Sequence, residues 1–175
     1  MKKKTLALVL ALTLLVAGVV GGTLAWLTDQ TAEVKNTFTV GDINIDLTET
    51  NRDYKMVPGN TIAKDPTVTV KANSEACWLF VKVTESENLD TFITYAIAEG
   101  WTKLQDGVYY REVPASAADQ TFSVLAGNTV TVKSDVTKTM LKTAKTDAPT
   151  LTFKAYAVQK DNVASASDAW AKVNP

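Results

Sequence analysis

Asn36-Thr37-Phe38-Thr39-Val40-Gly41-Asp42-Ile43-Asn44-Ile45-Asp46-Leu47 decides the fold class of this chain. Apolar residues hold even positions as far as Val40 and odd positions from Ile43 onward. Strand side chains alternate between two faces, so a period of two marks a half-buried strand. The phase changes at Gly41-Asp42, as it does at a bulge or tight bend. Upstream, Trp26, Ala32 and Val34 continue the even set, with Asp29, Thr31, Glu33 and Lys35 between them.

Further strands are expected downstream. Pro58-Gly59-Asn60 reads as a turn. Val68, Val70 and Ala72 then alternate with Thr67, Thr69 and Lys71. Residues 78–84 begin apolar on both faces, which predicts a central strand. Short strands are expected at 95–98, 101–104 and 108–113, with Asp106-Gly107 as a hairpin turn between the last two. Residues 122–125 and 130–133 flank Ala126-Gly127-Asn128, which predicts a second hairpin, and 151–159 is the last strand. Helices are expected at 137–144 and 165–173, the latter opened by Ser165 and Asp168 in a capping-box spacing. Many short strands joined by turns predict an all-β fold, a jelly-roll-like antiparallel β-sandwich with short peripheral helices.

The N-terminus reads as an export signal. Met1-Lys2-Lys3-Lys4 precedes an apolar run at 6–20, followed by small residues near a cut site. The run is shorter than the roughly 20 residues that span a bilayer. Thr23 and Ala25 suit the −3 and −1 positions of a peptidase site, so cleavage is expected between Ala25 and Trp26. The expected organisation is a signal peptide at 1–25, an N-terminal strand at 26–38, and a β-sandwich domain at 39–175. The membrane would be met only through the uncleaved signal.

Composition narrows the chemistry. All 19 acidic residues lie after Ala25, while three of the 18 basic ones precede it, leaving 15 against 19 and a charge of about −4. No basic footprint for nucleic acid is present. Cys77 is the single cysteine and is read as a small buried hydrophobe. The chain has no histidine, which removes His-based triads, His general bases and HExxH zinc sites together. No catalytic residue, metal site or cofactor is expected, and a carboxylate-only hydrolase is the weakest of the functional readings.

Three constellations resemble sites. Asp42, Asn44 and Asp46 start like a calcium loop, but Leu47 and Asp53 stand where such a loop needs Gly and Glu. Glu85, Glu87 and Asp90 read as a solvated loop. Trp78, Trp101, Tyr109 and Tyr110 could stack on a sugar, but sheet packing is the favoured reading.

The junction Gly21-Gly22-Thr23-Leu24-Ala25-Trp26-Leu27-Thr28-Asp29 resembles signals cut by the SipW-type signal peptidase of Gram-positive bacteria. The stretch 36–47, the Val57-Pro58-Gly59-Asn60 turn, and Ala155-Tyr156-Ala157-Val158-Gln159 with Ala169-Trp170 resemble the TasA/camelysin family of secreted biofilm-matrix proteins. That resemblance implies a jelly-roll domain in the extracellular matrix or at the cell surface. It also implies fibres in which each subunit lends its N-terminal strand to a neighbouring copy. The donated face would be Trp26, Ala32, Val34 and Phe38. The metalloprotease activity described for camelysin relatives is not carried over, because the histidines are missing. The alternative is a monomeric secreted module that binds carbohydrate or a host protein. A strand that pairs in trans can also pair in cis, so the sequence leaves that choice open.

Overall fold

The computed structural model describes Lys3, residues 41–51 and residues 54–173. The expected signal peptide apart from Lys3, the Ala25–Trp26 junction and the face of Trp26, Ala32, Val34 and Phe38 lie outside these residues. The described residues after Gly41 fold as a mostly β protein with three antiparallel sheets and a few short helices.

The largest sheet has four strands. Its centre is β4 (Cys77–Glu85), flanked by β10 (Leu151–Gln159) and β7 (Val108–Val113), with β6 (Thr102–Gln105) at one edge. The burial of β4 explains its composition. Cys77, Leu79, Val81 and Val83 face one apolar cluster, while Trp78 and Phe80 face another. A strand covered on both faces needs apolar residues at consecutive positions. β6 and β7 are joined through Asp106-Gly107, with Gly107 at φ +67°. A side chain there is barred twice. The backbone is left-handed, and a Cβ would stand 2.6 Å from the Val83 carbonyl oxygen.

A second sheet joins β1 (Ile45–Thr48), β3 (Thr67–Val70) and β8 (Gln120–Ser123) in the order β1-β3-β8. The third joins β2 (Thr61–Ala63), β9 (Thr129–Val132) and β5 (Ile93–Thr94) in the order β2-β9-β5. These two sheets are consecutive stretches of the same chain segments. β2 runs on into β3 and β8 into β9, and hydrogen bonds from Val124 N to Pro66 O (2.9 Å) and Lys64 N to Asn128 O (2.8 Å) bridge the gap. Pro66 has no N–H to donate to a ladder, so pairing breaks where it stands.

Two expected strands are placed differently. Ala126-Gly127-Asn128 is a 3₁₀ turn, but β8 and β9 do not form a hairpin: β8 pairs with β3, and β9 with β2 and β5. Turn chemistry specifies a change of direction and not a partner. No strand forms at 95–98: β5 ends at Thr94, and the residues after it make only the isolated Ile97–Leu125 bridge. The Val57–Asn60 turn, the central strand and β10 lie where expected, with Gly59 at φ +80° and Asn60 N bonded to Val57 O at 3.0 Å.

Val68, Val70, Leu79, Val81 and Val124 belong to one cluster, so side chains from β1-β3-β8 and from the largest sheet share a core. The opposite face of the largest sheet is covered by helix α3 (Ala166–Val173). Trp170 meets Phe80 at 5.3 Å between ring centroids and Tyr156 edge-on at 5.2 Å. Ser165 Oγ accepts from Asp168 N at 3.1 Å and bonds its carboxylate at 2.7 Å, which caps that helix. Helix α2 (Lys138–Thr143) is capped by Thr137 and packs over β5 and β9; a one-turn helix, α1 (Leu89–Phe92), precedes β5.

Candidate functional site

β1 and β10 are end strands of their sheets, and among the described residues each leaves one edge unpaired. Their inward-facing side chains repeat with period two: Ile43, Ile45 and Leu47 on one strand, Leu151, Phe153, Ala155 and Ala157 on the other. All seven pack against the shared core, yet all seven are half-buried. The central residues they lean on, such as Val68, Leu79 and Val81, are fully buried. The core therefore has an apolar border along the β1/β10 side. The two small residues, Ala155 and Ala157, leave it shallow on the β10 wall.

Cavities open along this border. One of about 390 Å³ lies between Leu47-Thr48-Glu49 and Leu151-Thr152-Phe153. A second of about 420 Å³ continues from it past Met56, Ile62, Leu89 and Ile93. Lys64, Leu151 and Thr152 line both. At the far end of β10 a shallower depression lies between Asp42-Ile43 and Val158-Gln159.

Lys64 stands at the junction of the first two cavities. It occupies the kink between β2 and β3 and is only 7% exposed. Its ammonium lies 2.6 Å from a Glu49 Oε1 oxygen, 4.9 Å from the Tyr54 ring centroid and 5.4 Å from that of Phe153. The Tyr54 hydroxyl donates to the same Glu49 oxygen at 2.9 Å. Burial, followed by the Glu49 carboxylate, pushes the Tyr54 phenol well above its ordinary range. The carboxylate is thus held by two donors, and the ammonium rests against two ring faces. This arrangement ties the Glu49 and Tyr54 side chains to Lys64 beside the groove.

The opposite border, between β6 and β8, is filled by large side chains. Trp101 donates its indole N–H to Ser123 O at 2.9 Å. The Arg111 guanidinium carbon lies 3.9 Å from the Phe122 ring centroid and 5.4 Å from that of Trp101.

Asp42 accepts from Ile43 N and from the Asn44 side chain, both at 2.8 Å, while Asp46 is exposed on β1. Glu85 accepts the Tyr95 hydroxyl. Among the described residues no group of three or more acidic or thiol side chains is placed to hold a metal ion. Trp78 is buried, with its N–H on Val163 O at 3.2 Å, and Tyr110 packs against it. Cys77 is fully buried, and desolvation pushes its thiol up to about 11. Lys64 and Arg111 went unnoticed in the sequence, because a lone charge beside turn residues or within an alternating strand reads as solvated. The -Lys64-Asp65-Pro66- break between two strands was the available signal for the first.

Compared with protein-family models, curated proteins and solved structures, the chain matches none.

Proposed function

We propose that the chain is a secreted structural subunit of an extracellular biofilm-matrix or cell-surface fibre, built by donation of its N-terminal strand, residues 26–38, to a neighbouring copy. The observation that supports this reading is the β1/β10 border, where among the described residues two strand edges are unpaired and seven apolar side chains are half-buried. An added strand would gain main-chain hydrogen bonds from an open edge and specificity from pockets for alternate side chains. Trp26, Ala32, Val34 and Phe38 have the period that such a groove needs. A head-to-tail contact of this kind need not close, so it yields filaments. Under this reading β1, β2/β3, β8/β9 and β5 act as one bent sheet, and with β10-β4-β7-β6 they form a jelly-roll-like sandwich. Cleavage between Ala25 and Trp26 by a SipW-type signal peptidase would free the donor segment, in keeping with the resemblance to the TasA/camelysin family.

The test is Val34→Asp in the chain beginning at Trp26. A charge buried unpaired in the groove costs several kcal/mol, on the order of what breaks an interface. The variant is expected to fold and to form no filaments. Normal filaments from it would contradict strand donation.

A further inference from the structure

Arg111 is an inward-facing cation that has no counter-charge among the described residues. It lies on β7 among residues that face the shared core: Tyr109 and Val113 flank it at the two-residue spacing, and Leu79 is its partner on β4. None of the ion pairs among the described residues includes it. Its Nε is sealed from solvent with no acceptor. Desolvation lowers the guanidinium's affinity for its proton, with no carboxylate to offset it. The guanidinium lies over the ring of Phe122 on β8 and over that of Trp101, which precedes β6.

Closing the border alone does not explain this residue. Leu or Met would fill the space without desolvating a charge. Stacking on two rings returns part of that cost, and it also fixes the orientation of the fork. Beside the fork, Gly100 adopts φ +86°, and a Cβ there would stand 3.1 Å from Nη2. A side chain at that position would crowd the guanidinium. β6 and β8 are each the last strand of a sheet, so among the described residues each has an edge outside any ladder, apart from Ser123 O, which the Trp101 N–H occupies.

We propose that Arg111 is the receptor for an acidic side chain carried by an extended peptide segment that lies along the β6/β8 border. The peptide backbone would pair with a free strand edge, and its carboxylate would take the planar fork through two parallel N–H···O bonds. Charge complementarity selects a carboxylate, and the open edges select an extended peptide to carry it. The site is distinct from the β1/β10 border and does not depend on strand donation there.

Two acetylated and amidated peptides, Thr-Val-Glu-Val-Thr and Thr-Val-Gln-Val-Thr, would be titrated into the full chain by calorimetry, with the Trp101 indole N–H followed by NMR. The Glu peptide is expected to bind about tenfold tighter than the Gln peptide, as one charge-assisted contact requires, and to shift the Trp101 resonance. R111Q should erase the preference. R111K should lose most of it while keeping the charge, because the fork is gone. Equal affinity of the two peptides for the unaltered chain would overturn the proposal whether or not the variants fold. Tighter binding of glucuronate than of the Glu peptide would overturn the peptide assignment.

Discussion

The Lys64 ammonium and the Glu49 carboxylate meet at 2.6 Å, with side chains only 9% and 16% exposed, at the point where two cavities join. Two charges removed from water this far are stable only together. Glu49→Leu alone would strand the ammonium, and Lys64→Met alone would strand the carboxylate. Each should cost about 3 kcal/mol in urea unfolding, and the double variant should recover most of that loss. Additive losses would mean that the two side chains are independently solvated.

Gly107 carries the tight approach of the β6–β7 hairpin to β4. Val83 N donates to Gly107 O at 2.7 Å, and a Cβ on Gly107 would meet Val83 O at 2.6 Å. Gly107→Ala is therefore expected to destabilise the protein by about 2 kcal/mol or more, from strain at positive φ and from the clash. Thermal unfolding followed by circular dichroism measures it; an unchanged midpoint would show that the hairpin can move away from β4.

Cys77 should be silent to thiol reagents until the protein unfolds. Its folded-state value is raised, so the neutral thiol is the form the fold prefers. Its contribution to stability is complete below the unfolded value of about 8.5 and is lost as pH rises through about 11. Comparing unfolding free energies of the parent and Cys77→Ala from pH 8 to 11 isolates the effect. The parent should lose more over that interval, and equal slopes would refute the assignment.

Trp170 ties α3 to the outer face of the largest sheet through Phe80 and Tyr156. Trp170→Ala should cost about 3–5 kcal/mol by opening a cavity in that cluster. A loss below 1 kcal/mol would mean that the helix packs by its alanines alone.

The strand content was legible because burial imposes a period of two. Ile45 and Leu47 on β1 face the core as the odd-position pattern requires, and β4 is apolar at consecutive positions because both its faces are covered. Asp106-Gly107 was legible because few residues tolerate that backbone. Pairing was not legible. The segment after β8 turns at Ala126-Gly127-Asn128 in the way a hairpin does, but its hydrogen bonds go to β2 and β5, tens of residues away. The burial of Lys64 and Arg111 was equally hidden, since it depends on Glu49, Phe153, Trp101 and Phe122 arriving from distant parts of the chain. The seven half-buried residues of the β1/β10 border carried a visible alternation, but which two strands would face each other across it did not follow from that pattern.

Electron microscopy of the chain from Trp26 to Pro175, beside one that begins at Thr39, tests strand donation most directly. The account predicts filaments from the first and monomers alone from the second. Monomers from both, across salt and pH, would contradict it and would leave a monomeric surface-binding module as the reading to pursue.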